Sequence, residues 1–310
     1  MRTKQPARHC VKRGKTAEST SYMWIYLSGS DGLPPIVLYE YQAGRNGDFP
    51  KAFLDGFSGI VQCDGYSGYH KVEDVILAVC SAHCRRKFYE ALPAQRRKQM
   101  KLLDINSETD VKDIPLPGPE QMESMIPAEI GLIFFNRPFF MEKGLKGMAA
   151  EQRREKRLEK EAPVWEKFWE WIGTLDPLGG NKLEKSVNYA LNHKETLCSY
   201  MLNGRCELSN NAAERRAKSY AIGRKNSLFH ASVPGAEASA LVYSMIETAK
   251  ANKINVFQYL YVLLLYMPEH KDDPGATEQL LPWSDFIKGH CTGLIDVETI
   301  TPENKPPLPL

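Results

Sequence analysis

Regular alternation of apolar and polar positions starts at Ser21. SYMWIYLSG (21–29) alternates as a strand does, SDGLPP (30–35) carries turn chemistry, and PIVLYEYQA (35–43) alternates again; together they predict a β-hairpin. FPKAFLDGF (49–57) places Phe49, Phe53 and Phe57 on one face of a short helix. GIVQCDGY (59–66) is a brief apolar run stopped by Asp64-Gly65, VILAVC (75–80) is a second buried strand, and SAHCRRKFYEAL (81–92) continues it as a helix. This succession predicts a mixed α/β sheet layered with helices.

From about residue 93 to 205 the pattern turns helical and charged. EQRREKRLEKEAPVWEKFWEWIG (151–173) reads as a solvated charged helix, broken near Pro163, followed by an aromatic-rich one. LEKSVNYALNHKETLCSYM (183–201) is amphipathic, and PLPGPE (115–120) reads as a linker. The stretch is read as a helical insertion into the α/β domain. ASALVYSMIETAKANK (238–253) and VFQYLYVLLLYM (256–267) predict two more helices, and TPENKPPLPL is a Pro-rich tail unfit for a helix or a central strand. The expected organisation is a displaced or unstructured remnant over 1–20 and one α/β domain over 21–255 with its insertion. A small helical region over 256–300 and the tail over 301–310 complete it.

Composition narrows the function classes. With 310 residues, 43% of them apolar, the chain can build a substantial core. Its formal charge is only +2, so any nucleic-acid contact must rest on local patches. The first seventeen residues hold six Lys and Arg and no acidic residue. Seven cysteines without a repeating framework, and no signal peptide, predict a reducing, cytoplasmic setting. No apolar run reaches the roughly 18–20 residues of a membrane span; 256–267 is shorter and interrupted by Gln258.

Candidate chemistry concentrates in three places. Asp64 follows a buried strand, where α/β folds present substrate-facing carboxylates; Asp-Gly is equally a common turn dipeptide. Cys80, His83 and Cys84 invite a zinc reading, but no second ligand pair has matching spacing, which favours a core cysteine and a locally bonded histidine. Arg85 and Arg86 follow at the start of the helix, where they would lie along a phosphate backbone. In NNAAERRAKSYAIGRKN (210–226), Glu214 stands among Arg215, Arg216, Lys218, Arg224 and Lys225. It is either the distal member of a capping box opened by Asn211 or a metal-binding carboxylate. No Gly-x-Ser-x-Gly or His-Glu-x-x-His motif supports a hydrolase reading.

GFSGIVQCDGYSGY, CSAHCRRKFYEA, NGRCELSNNAAERRAKSYAIGRKNSLF and GAEASALVYSMIETAKANKINVFQYL, with the SYMWIYLSG and PIVLYEY strands, occur in one order over most of residues 20–265. In that order they resemble the transposases of the insertion-sequence 66 family, DDE-type recombinases. The resemblance implies a ribonuclease-H-like mixed sheet with a large helical insertion and a helical C-terminal region. It also implies DNA cleavage and strand transfer by two-metal phosphoryl transfer with Mg²⁺ or Mn²⁺. Asp64 matches the second catalytic aspartate and Glu214 the glutamate, both as metal ligands. Cys80 and His83 match a Cys-x-x-His scaffold element. Arg85, Arg86, Arg215, Arg216, Arg224 and Lys225 become expected DNA-backbone contacts at transposon ends and target.

One part of the family pattern is not matched. The first catalytic aspartate belongs to an Asp-Glu-Thr strand just upstream of the Tyr-Met-Trp strand, yet nothing acidic precedes Glu18 here. Asp31, in the hairpin turn, and Asp48, in the loop before a helix, are poor substitutes. The expectation is an N-terminally truncated copy, inactive in strand transfer by itself. The alternative is a catalytically dead DNA-binding remnant that occupies transposon ends, self-associates or forms mixed oligomers with an intact transposase.

Overall fold

In chain order the computed structural model begins with strands β1 (Arg2–Ala7), β2 (Ser21–Leu27) and β3 (Val37–Gln42), helix α1 (Asp48–Phe53), strand β4 (Gly59–Cys63), and strand β5 (Val75–Val79). Helices α2 (Ser81–Ala91), α3 (Ala94–Leu102), α4 (Pro119–Ser124), α5 (Pro127–Gly144), α6 (Ala150–Lys160), α7 (Ala162–Gly173), α8 (Lys182–Asn192) and α9 (Lys194–Cys198) follow. The chain continues through α10 (Asn211–Gly223), α11 (Val233–Ala251), α12 (Val256–His270), α13 (Pro274–Glu278) and α14 (Asp285–His290). Single 3₁₀ turns occupy Ser67–Lys71 and Ser199–Leu202. The structure describes residues 2–7, 21–102, 111–223, 232–291 and 305–308.

Two compact units divide the chain, one of Asn46–Ala212 with the first two residues, the other of Thr3–Arg45 with Ala213–Leu310. In the second unit the predicted hairpin forms: β2 and β3 pair antiparallel with Tyr22 opposite Gln42 and Leu27 opposite Val37. Residues 2–7, expected within a displaced or unstructured remnant, form β1 beside β2, giving the order β1-β2-β3. The free side of β3 is closed by helix α11. Thr248 Oγ1 accepts the Val37 N–H (3.0 Å) and donates to the Val37 carbonyl (2.9 Å), Ser244 Oγ accepts the Tyr39 N–H (2.8 Å), and Asn252 donates to the Pro35 carbonyl (2.8 Å). Hydroxyl and amide groups four residues apart on the helix thus match alternate residues of the strand, and polar groups that would template another strand are satisfied. Of the tail, residues 305–308 pack on this unit: the Tyr266 hydroxyl donates to the Pro306 carbonyl (2.6 Å) and Leu308 is buried with α12.

In the first unit β4 and β5 pair in parallel, Gly59 beside Val75 and Cys63 beside Val79. The single mixed sheet expected from the pattern is therefore divided: among the described residues a three-stranded sheet and a two-stranded sheet stand separately. Helix α1 ends at Phe53, short of the predicted face, because the chain turns at Gly56 with φ +73°; Phe53 and Phe57 remain exposed. Helix α5 is buried on nearly every side and forms the centre of the unit. Phe134 and Phe135 meet Phe168 of α7 at ring-centroid distances of 5.5 and 5.2 Å, and Phe88 of α2 completes the cluster. Gly131 makes room for the Phe88 ring, which a Cβ there would strike. No helix among the described residues is long and apolar enough to cross a membrane.

Helix α6, expected to be a solvated charged helix, is exposed along most of its length but buries one guanidinium. Arg157 is fully buried and uses all five donors: Nε and Nη2 reach Glu142 (2.6 and 3.1 Å), Nη1 the Tyr200 and Asn203 carbonyls (3.0 Å each), and Nη2 also the Cys206 carbonyl (2.8 Å). Arg153 bridges Glu142 to Glu207. Burial opposes ionisation of Glu142, but the hydrogen bonds and charges of Arg157 and Arg153 hold its carboxyl below the usual range. Glu161, hydrogen-bonded by the Tyr200 hydroxyl, is pushed up to about 8, first by burial and then by the Glu142 charge.

The sign of the resulting pH dependence is fixed. Unfolded Glu161 ionises near pH 4.5 while the folded residue keeps its proton to about pH 8, so the native state binds more protons across that window. Stability contributed by Glu161 is full below pH 4.5 and falls as pH rises to about 8, with a steepest slope of ~1.4 kcal/mol per pH unit. Urea midpoints of wild type and Glu161→Gln between pH 5 and 8 test this. The wild-type curve should fall relative to the variant, and parallel curves would refute it.

Candidate functional site

Asp64 leaves the carboxyl end of β4 half-buried, and its Oδ1 accepts the Tyr66 N–H (3.2 Å). Both readings of this residue meet here, since the carboxylate closes a local turn and also projects from a strand end. Gly65 has φ +77°, the left-handed conformation that favours glycine. A Cβ there would collide with the Tyr189 hydroxyl and come within 3.2 Å of His193 Nε2. Helix α8 therefore lies directly against the turn, and the Tyr189 hydroxyl donates to the Asp64 carbonyl (3.4 Å).

The next strand end carries Cys80. Its N–H extends the ladder to the Cys63 carbonyl (2.9 Å) and its Sγ accepts the Asn210 N–H (3.3 Å), while the Ser81 N–H donates to the Leu208 carbonyl (3.1 Å). Gln62 Nε2 donates to the Glu207 carbonyl. Residues 207–210 are thus tied across the ends of β4 and β5. His83 is half-buried on α2, and Cys84 is buried, its thiol pushed up by desolvation.

The two arginines after Cys84 separate. Arg86 is exposed. Arg85, expected on a phosphate backbone, is buried: its Nε donates to Asn136 Oδ1 (2.6 Å) and its guanidinium faces the Phe139 ring at 5.8 Å. It secures α2 to α5 and has no open face for DNA, because its place on the helix points into the aromatic core.

Helix α10 begins at Asn211, which puts Glu214 half-buried in its first turn, where a carboxylate is favoured by the helix dipole. Ala213, Ala217 and Tyr220 bury the inner face. Arg215 and Lys218 are exposed. Arg216 pairs with buried Glu247 at 2.7 Å, and its carbonyl accepts the Tyr39 hydroxyl. Arg216, expected to contact DNA, is thus half-buried and pairs with a buried carboxylate that exposed Lys250 also meets. Arg224 and Lys225 lie outside the described residues.

A family model described as "Transposase IS66 family" matches residues 6–238. The chain belongs to the IS66 transposase family. A second model, the IS66 C-terminal element, matches residues 244–283, from α11 through α13. The first match starts inside the segment expected to lie outside the family core, in agreement with a strand at β1. Among curated relatives, "Uncharacterized protein y4hP" of Sinorhizobium fredii is 27% identical over 86% of this chain and 47% of its own length. "Uncharacterized protein y4qI" of the same organism is 29% identical over 87% of this chain and 48% of its own. The chain spans about half the length of the curated relatives it matches. No solved structure matches it.

The IS66 reading calls for hard cations held by several carboxylates, with water positions left open. Among the described residues no group of three or more His, Cys, Asp or Glu could hold a metal ion. β1, RTKQPA, contributes no carboxylate beside β2. The residues present do not fit a complete two-metal site, and no catalytic step is derived through one.

Pattern reading found the Asp64 turn but not Tyr189, Lys87 or His193. The amphipathic period of 183–201 signalled a helix without indicating which residues meet Gly65. Gly65→Ala should lower stability by roughly 1–3 kcal/mol, from strain at positive φ and collision with Tyr189. The control is Gly173→Ala, where a Cβ meets nothing. Equal urea midpoints for the two variants would rule out the tight α8–turn contact.

Proposed function

We propose that this polypeptide is a DNA-binding member of the IS66 family with a ribonuclease-H-like ancestry, in which Asp64 and Glu214 descend from the metal-binding carboxylates of a strand-transfer enzyme. The observation that carries this reading is the family match across residues 6–238, which contains both carboxylates in their expected order. Exposed Arg86, Arg215 and Lys218 supply sequence-independent phosphate contacts. Mg²⁺ is the ion that such carboxylates take, and an in-line displacement needs several of them converging on hard cations. The 310-residue polypeptide therefore binds duplex without joining it.

Gel mobility shifts with a short duplex test this reading. Affinity should fall steeply with salt, persist in EDTA, and drop in Arg86→Gln and Arg215→Gln, each removing about one unit of salt slope. Incubation with a donor DNA end and Mg²⁺ should yield no joined product. Robust Mg²⁺-dependent joining, or the absence of salt-sensitive binding, would overturn the proposal.

A further inference from the structure

The ring of Tyr189 is a platform for two nitrogen bases beside Asp64. The Lys87 ammonium of α2 sits over the ring, 4.7 Å from its centroid, and the His193 imidazole lies 4.5 Å from it, centroid to centroid. Both are brought to the Asp64–Gly65 turn by the same contacts, the Tyr189 hydroxyl on the Asp64 carbonyl and the approach of His193 Nε2 to Gly65. Lys87 is half-buried and forms no ion pair among the described residues, and neither do His70 and His193. Burial, then the proximity of His70 and Lys87, holds the His193 pKa below its ordinary value.

This combination is unusual for a structural contact. A cation over an aromatic ring is held in place by about 0.5–2 kcal/mol, but its charge is not neutralised. An ammonium that is partly desolvated and fixed beside an imidazole is a receptor for an anion, and its donors suit one phosphodiester oxygen pair. Its position bears on the candidate site, because the same ring touches the Asp64 carbonyl.

We propose that Lys87 and His193, seated on Tyr189, bind one backbone phosphate of a DNA strand lying over the Asp64–Gly65 turn, with Tyr189 as the positioning residue for both. The proposal rests on the DNA-binding reading above and adds a contact that the family motifs do not indicate. Arg85, the neighbouring residue to which that role was first given, is turned into the core. Lys87 takes its place two positions along the helix.

Salt dependence of duplex binding by the full chain tests it. Lys87→Gln should reduce the slope of log affinity against log salt by about 1 and weaken binding equally for unrelated duplex sequences. Lys87→Arg should retain the slope. Tyr189→Phe keeps the ring and should also retain it, whereas Tyr189→Leu should lose as much as Lys87→Gln. If Lys87→Gln folds and keeps the wild-type slope while Arg215→Gln lowers it, the corner is not a phosphate site although the chain binds DNA. Failure of the wild-type chain to bind is a different result, which removes the DNA reading itself before any variant is compared.

Discussion

A guanidinium with no access to water has to place five N–H donors, and in the Asn46–Ala212 unit this requirement organises everything around Arg157. Two donors go to Glu142 on α5 and three to the carbonyls of Tyr200, Asn203 and Cys206. Those carbonyls belong to a segment with little regular structure of its own, so its path is set by the arginine. Glu207 is then held from its side chain by Arg153 and from its carbonyl by Gln62, and Leu208 and Asn210 are held by Ser81 and Cys80. Removing one partner of such a buried ion pair costs ~3–5 kcal/mol, because the remaining charge is left uncompensated. The positions of the two strand ends relative to this segment depend on that single satisfied charge.

The second unit uses the same rule with neutral groups. β3 lies at a sheet edge, and its N–H and C=O groups are satisfied by hydroxyls of Ser244 and Thr248 rather than by another strand. A small residue at 240 and short polar side chains at 244 and 248 let α11 approach the strand closely enough for this. Arg216 is drawn inward by Glu247 on the same helix, which is why one of two adjacent arginines serves the fold and the other faces solvent. Basic residues in a motif are therefore not equivalent, and their partners decide which can meet a phosphate.

Around Asp64 the chemistry is that of an anion-binding corner more than a finished metal centre. One carboxylate oxygen closes the turn, Gly65 admits the Tyr189 hydroxyl, and Lys87 and His193 pack on the Tyr189 ring with no ion pair among the described residues. On the proposal above, this corner takes one backbone phosphate. Joining DNA demands further charge on hard cations, for which a set of carboxylates has to converge.

Local pattern alone determined the hairpin at 21–43, the strands within 59–66 and 75–80, the helix from Ser81, the break near Pro163 and the family motifs themselves. These are features of short sequence separation, where alternation, turn chemistry and helix period are enforced by neighbours. It also indicated Asp64 and Glu214 as the carboxylates of interest. Tertiary structure decided that the strands form two sheets, that Arg85 and Arg157 are interior and Arg216 half-buried while Arg86 and Arg215 are exposed, and that Tyr189 meets Gly65. Each of those outcomes turns on partners distant in the chain. A charged side chain has the same local signature whether it ends in solvent or in a buried pair, so only the packing that supplies or withholds the partner distinguishes them.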